Sequence, residues 1–498
     1  MQIVETIGNN FGIITALLIG FLSWYIYSWY SFKKYLLRWP GRTYPIVGNM
    51  LESYWSKGDE YKLLKEQRET KTPGISLYQF PNSLVSIVTD YKLLNELFSK
   101  HALVTSDRAV TKISAEIPFP RGIADASGKL WQLHRKETLI ALRKLGLGVS
   151  ILEQKANIEA DALIDYLQKG QNNKMSIDYI SNVFATASCN MINQLCFGKR
   201  FEYGDKSFIK LYNAVKIILG YNPIDTRYLI PRWVRRLPLI YKAEFEEMVD
   251  AFHVVFAIIE DEMKDFNNED DEECLLSLLL KKQKSMPEEF SSVDIVQCIS
   301  DSLLAGTDTT SVTLTWLVHF MILHPEIQSK VKEHINSVLD GKKFEYEDID
   351  RLPILQACIL ETQRFGSTAL MTLIHAMTKT VKTVDGYIFP KGSLVLGHLF
   401  SIMRDENVFK YPDTFDLRNF LSENNTIIKH ENFIPFGFGP RVCVGEKLAR
   451  LELYTFATRF LQTFTVQRLA SENVSETEAN IGIVRSPVNY NFQISFNA

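Results

Sequence analysis

The 498-residue sequence predicts a mainly α-helical protein with a small β subdomain and one N-terminal transmembrane helix. Three observations carry that class. Apolar residues recur at helical spacing through Asn157–Leu167, Ala243–Phe266, Val293–Leu323 and Pro325–Leu339. Short β-like pieces are confined to Ile75–Tyr78, Leu84–Thr89, Leu394–Leu396 and the C-terminal region Tyr490–Phe496. No charged residue interrupts Thr6 to Phe32.

Taken in chain order, residues 11–32 come first, dense in Ile, Leu, Phe, Trp and Tyr. A helix needs about 20 apolar residues to cross the hydrocarbon core, and this stretch is long enough. Trp24, Tyr25, Tyr27, Trp29 and Tyr30 would sit near one interface as an aromatic belt. Lys33, Lys34, Arg38 and Arg42 follow at once, whereas Glu5 is the only charge before. Basic flanks stay on the cytosolic side, so residues 1–10 are expected to be a short lumenal N-terminus. A cleaved signal peptide would want a positive n-region, a shorter apolar core and a small-residue cleavage site, none of which is present. Residues 33–49 read as a basic Pro/Gly hinge, because Pro40 and Pro45 cannot continue a helix. From 50 to 498 no repeat, low-complexity tract or linker divides the chain, which predicts one large α-rich domain with the sheet as its subdomain. Within it, Asn267–Glu273 reads as a solvated acidic loop.

Composition narrows the function classes. Hydrophobic residues make up 46% of the chain, enough for a large core, and the net charge of −3 argues against a nucleic-acid binder. The six cysteines have neither metal-finger spacing nor the density of a secreted disulfide framework, so reduced thiols facing a cytosol are expected. The sequon at Asn424-Asn425-Thr426 is therefore expected to stay unmodified.

The residues from Phe436 to Gly445 carry the chemistry. Gly437, Gly439 and Gly445 permit a tight turn and close approach to a flat ligand. Pro440 stiffens the loop, Arg441 adds a positive charge, Phe436 adds an apolar wall, and Cys443 is left in a nest of backbone N–H groups. A lone cysteine is more often a small buried hydrophobe. The full pattern F-x-x-G-x-R-x-C-x-G, with Glu446–Arg450 opening a helix, is far more specific than that. It resembles the haem-ligating loop of the cytochrome P-450 family, the haem-thiolate monooxygenases. The resemblance implies the cytochrome P-450 fold, a haem-binding catalytic domain over 50–498, haem b as cofactor and Cys443 as axial thiolate of its iron.

Three further motifs match the family in its order. Ala305-Gly306-Thr307-Asp308-Thr309-Thr310 lies inside a long apolar helix pattern, where glycine and threonine cost stability. The resemblance implies that Gly306 makes room for dioxygen, that Thr309 hydrogen-bonds it once activated, and that Asp308 relays protons. A plain helix with back-bonded threonines is the ordinary alternative for such a segment. Glu361 and Arg364 form the family's E-x-x-R pair; Asn419 stands where its third member is usually Arg, with Arg418 one place earlier. Trp131 and Arg135 share one helical face. By resemblance they donate to haem propionates, as do Arg441 and His375, although Ile374 replaces the proline that often precedes that histidine.

Lys129, His134, Lys136, Arg143, Lys144, Lys447 and Arg450 suggest a basic rim suited to an acidic flavoprotein. Pro231–Pro238 mixes cations with apolar groups and would suit a membrane interface. Pocket segments are expected at Arg108–Gly122, Phe201–Asn222, Asp301–Ala305, Ser367–Leu373 and Ile481–Val488. The chain looks most like the animal microsomal branch. That implies insertion of one oxygen atom from dioxygen into a lipophilic substrate: a steroid or sterol, a fatty acid or a xenobiotic. Electrons would come from NADPH through a cytochrome reductase, with cytochrome b5 as a further donor. The expected place is the endoplasmic reticulum membrane, single-pass, with the catalytic domain facing the cytosol. A reductase-free haem-thiolate isomerase or dehydratase, and a non-catalytic haem- or lipid-binding membrane protein, stay open as alternatives.

Overall fold

Strand and helix patterns sort into two units in the computed structural model, which describes residues 12, 15–27, 74–80, 83–109, 122–146, 150–170, 173–220, 244–266 and 273–497. The hinge at 33–49, the Pro231–Pro238 patch and most of the acidic loop lie outside the described residues. So does much of the expected anchor. Its described part, residues 15–27, is helical and exposes Leu17, Ile19, Phe21 and Trp24. Among the described residues no helix is long and apolar enough to cross a membrane.

The first unit takes in the described residues up to Ala109 together with Ile374–Gly397. Its strands are β1 (Ile75–Phe80), β2 (Ser83–Val88), β3 (Asp107–Arg108), β4 (His375–Ala376) and β5 (Leu394–Gly397). They form one sheet in the order β1-β2-β5-β4-β3. β1 and β2 pair antiparallel from Ile75 opposite Val88 to Phe80 opposite Ser83, and β2 runs parallel to β5. Val85, Ile87, Val88, Val395 and Leu396 are buried, and since consecutive residues point to opposite faces, these central strands are covered on both sides. The short helix Tyr91–Asn95 starts where the Asp90 carboxylate accepts from the Leu93 N–H at 2.7 Å.

The second unit is helical: α1 (Gly128–Lys144), α2 (Ser150–Lys169), α3 (Ile177–Phe197), α4 (Lys206–Leu219), α5 (Glu244–Asp265), α6 (Leu275–Ser285), α7 (Ser292–Leu323), α8 (Pro325–Leu339), α9 (Pro353–Gly366) and α10 (Glu446–Thr463). The periodic segments read from the sequence fall in α2, α5, α7 and α8. The longest apolar run becomes the longest helix, the 32-residue α7, and most of its side chains are buried. Ser291 and Asp294 cap its start reciprocally, the Ser291 N–H donating to Asp294 at 2.7 Å. Pro325 fixes the first turn of α8, where its missing N–H costs nothing. The helical periodicity does not reveal α3, because 16 of its 21 residues are buried and from Val183 to Phe197 no exposed face marks a period. It packs along α7, where a Cβ added to Gly306 would lie 3.0 Å from Ile192. A three-stranded antiparallel sheet of Lys174–Ser176, Asn491–Phe496 and Phe464–Arg468 closes this unit.

Candidate functional site

The cysteine loop folds as its glycines allow. Gly437 and Gly439 sit at φ 70° and 73°, a region other residues rarely adopt. The Cys443 N–H reaches back to the Phe436 carbonyl at 3.0 Å, and α10 begins three residues beyond the thiol. Five of the six cysteines are buried, whereas Cys443 is exposed. Protein packed around the thiol pushes its pKa up; the Gly445 and Glu446 N–H groups and the Arg135 charge act the other way. Those are the groups that would stabilise a thiolate. A Cβ on Gly445 would lie 4.0 Å from the sulfur, so the bare backbone keeps that approach clear.

Three donors surround this loop. Arg135 on α1 donates to the Val442 carbonyl at 2.8 Å. Arg441 donates to the carbonyls of Ile123 (2.9 Å) and Ala126, and its guanidinium lies 4.0 Å from the centre of the Trp131 ring. Trp131 is buried, yet among the described residues its Nε1–H has no hydrogen-bond partner. A buried indole N–H is normally satisfied, so this donor suits an acceptor on a bound group. An exposed thiol, an orphaned indole donor and two guanidinium groups fit a flat, dianionic, iron-bearing ring such as haem. Replacing Trp131 with Phe keeps the ring and removes only that donor. Haem affinity is expected to fall about ten- to a hundredfold, the worth of one hydrogen bond to a charged group, with the fold intact. Haem transfer to an acceptor protein measures it.

The α7 segment has an open step. Ala305 is exposed and Thr309 half-buried, although the residues on either side of them along the helix are mostly buried. The Thr309 hydroxyl donates to the Ala305 carbonyl at 2.7 Å, and Thr307 does the same to Leu303 at 2.7 Å. Back-bonding therefore occurs as in an ordinary threonine-rich helix, but Thr309 keeps its oxygen lone pairs on the open step. Gly306 has a packing reason of its own, the approach of Ile192, beside the room it was expected to leave for dioxygen. Asp308 is buried and accepts from the Tyr212 hydroxyl of α4 at 3.4 Å. Burial raises its carboxyl pKa to about 6, against the lowering effects of Lys216 and Tyr212.

The remaining sequence candidates are placed as follows. His375 belongs to the first unit, where its Nδ1–H donates to the Thr105 carbonyl at 2.6 Å and its ring stacks on Phe98 at 4.0 Å. Asn419 completes the E-x-x-R cluster, donating to Glu361 at 3.0 Å, while Arg418 turns outward to Asp416. Lys129, Lys136, Arg143, Lys144 and Lys447 are exposed as the basic rim requires. His134 is a correction. It is fully buried and pairs with Asp294 at 3.0 Å, because its place on α1 between Trp131 and Arg135 points it inward. Of the pocket candidates, Ile117 and Phe119 lie outside the described residues; Ile483 and Leu219 are brought together, the Ile483 N–H donating to the Leu219 carbonyl at 2.9 Å. Tyr212, the partner of Asp308, is the residue that the sequence did not single out.

A helical unit carrying such a thiol, indole and guanidinium set defines a haem-thiolate protein. The comparisons make this specific: the chain belongs to the cytochrome P450 family, whose sequence model matches residues 39–494. It is 30% identical to cytochrome P450 2C20 of Macaca fascicularis over 473 residues, covering 92% of this chain and 93% of that protein. Over the same length and shares it is 29% identical to human cytochrome P450 2C8, and it is 30% identical to cytochrome P450 2C23 of Rattus norvegicus over 460 residues, 91% and 92% of the two chains. The protein is a monooxygenase that binds haem b through a cysteine thiolate.

Proposed function

We propose that Cys443 is that thiolate and that the enzyme oxygenates a lipophilic substrate with electrons from NADPH, delivered by a membrane-bound reductase. The observation that carries the reading is the exposed Cys443 thiol beneath backbone donors, with the orphaned Trp131 indole in the same unit. Haem supplies the redox-active iron that activates dioxygen, and thiolate ligation favours O–O cleavage. Trp131, Arg135 and Arg441 would hold its carboxylates, so that buried negative charge would be paired. Thr309 lies on the open step of α7, where its hydroxyl, now donating to the Ala305 carbonyl, would hold a proton for the reaction. Asp308, with a carboxyl pKa of about 6, is poised to take and release a proton near neutral pH.

Phe208, Leu304 and Leu370 are buried apolar residues of the expected pocket segments and support a steroid or sterol, fatty acid or xenobiotic as substrate. The exposed lysines on α1 and α10 support docking of an acidic reductase, with cytochrome b5 as a second donor of the same charge class. The apolar residues exposed along 15–27 support a single-pass anchor in the endoplasmic reticulum membrane.

Reconstitution with NADPH and a microsomal reductase tests this reading. Oxygenated product that requires NADPH is the expected result; turnover of a lipid peroxide without NADPH would instead assign an isomerase. In the same assay Thr309→Ala is expected to keep the haem spectrum and to lower product per NADPH by about ten- to a hundredfold, the electrons appearing as hydrogen peroxide. Unchanged coupling would remove Thr309 from proton delivery.

A further inference from the structure

Asp308 is buried, and a side chain beside it offers a route for a proton that it delivers. Tyr212 is itself buried, in the middle of the inward face of α4, and its hydroxyl donates to Asp308 Oδ1. Ser181 of α3, a half-buried residue, lies beside the same hydroxyl and favours its ionised form. Phe208 stacks on the tyrosine ring at 5.5 Å and 10°, and the exposed Lys216 ammonium stands 5.7 Å from its centre. Phe208 and Lys216 thus both approach the ring, and the three hydroxyl or carboxyl groups come from three helices.

We propose that Tyr212 is the positioning residue that feeds protons to Asp308, along Ser181 Oγ, Tyr212 Oη and Asp308 Oδ1. One proton enters per transfer. Asp308 gains the hydroxyl proton of Tyr212 as Tyr212 takes the one from Ser181, which solvent replaces; no residue other than Asp308 changes charge. A hydroxyl suits this place because it donates and accepts at once. The 3.4 Å separation is longer than the usual span of an O–H···O bond, so small shifts of α4 make or break the path. α4 also lies in an expected substrate-contacting segment, which ties proton entry to occupancy of the pocket.

Lys216 of α4 is the charged group acting on Asp308, and from α3 the exposed Asp178 acts on Tyr212. Burial holds the Asp308 carboxyl up, whereas the Tyr212 bond and Lys216 lower it. Loss of the tyrosine hydroxyl therefore moves its titration to higher pH.

The inference rests on the reading of Asp308 as proton carrier, and the test separates the two. In the haem-loaded enzyme, Asp308→Asn identifies the carboxyl band in the infrared difference spectrum, and Tyr212→Phe keeps the stacked ring while removing the hydroxyl. Tyr212→Phe is expected to raise the midpoint of that band by roughly half to one pH unit. It is also expected to lower product per NADPH about three- to tenfold, and to increase the solvent isotope effect on product formation. Ser181→Ala is expected to leave the midpoint in place and to increase the isotope effect alone. If Asp308→Asn uncouples the enzyme but Tyr212→Phe changes neither midpoint nor isotope effect, Tyr212 only fills space and the inference is overturned. If Asp308→Asn itself leaves coupling unchanged, the proton-carrier reading falls instead.

Discussion

Cys443→Ala is expected to leave a folded helical protein without thiolate-ligated haem and without monooxygenase activity. The two halves of that outcome have separate causes. Folding persists because Cys443 is the exposed cysteine: deleting its sulfur opens no cavity in a packed core, and a change of that kind is worth about 0.5 kcal/mol or less. Function is lost because no other cysteine stands in its place. Cys189, Cys196, Cys274, Cys298 and Cys358 are all buried, and burial raises the thiol pKa of Cys189, Cys196, Cys298 and Cys358. A sealed thiol that resists ionisation makes a poor ligand. Absorption of the reduced protein with carbon monoxide separates the cases, since a thiolate ligand gives a strongly red-shifted Soret band. The wild-type protein is expected to show that band and the variant to lose it, with circular dichroism unchanged. A variant that kept the band would show that another residue ligates the iron.

Legibility in the sequence followed polarity. α2, α5, α7 and α8 could be read because each alternates between packed and solvated faces or runs long and apolar, and the paired strands at Ile75–Phe80 and Ser83–Val88 because they are short, largely apolar runs separated by Pro81 and Asn82. α3 could not, since from Val183 to Phe197 it has no exposed face and so no period to read. The cysteine loop was legible because its chemistry is local: glycines at positive φ, a proline and one thiol within ten residues. Long-range partners were not. His134 looks like a rim cation by residue type, yet its position on α1 makes it a buried partner of Asp294. Tyr212 looks like one more apolar-face aromatic until α4 is laid against Asp308. Asn419 shows the same limit from the other side, for only the fold brings its amide to Glu361 while Arg418 turns to solvent.

Arg364→Ala is expected to destabilise the second unit by about 3–5 kcal/mol, the range for removing one partner of a buried ion pair. Both side chains are fully buried, and the pairing is bidentate: Nε and Nη2 of Arg364 each reach a Glu361 oxygen at 2.7 Å. The guanidinium also donates to the carbonyls of Met403 (3.1 Å), Pro412 (2.8 Å), Tyr411 (3.2 Å) and Thr414 (2.9 Å). One side chain thus organises the chain between Met403 and Thr414, ahead of the cysteine loop. Burial pushes the Glu361 carboxyl above its ordinary pKa; Arg364, Asn419 and the Asp416 N–H hold it down. Without the arginine, Glu361 must either take up a proton or remain an unpaired buried charge, and four carbonyls lose their donor. Arg364→Lys should rescue little, because an ammonium has three donors and no fork to span both carboxylate oxygens. The measurement is the urea midpoint of the haem-loaded protein, followed by both helicity and the Soret band. A shift under about 1 kcal/mol would mean that water enters and satisfies the cluster, and that the chain after Met403 is held by its own packing. A large loss seen first in the Soret band would mean that the pair acts chiefly on the cysteine loop, since that segment would then loosen before the helices melt.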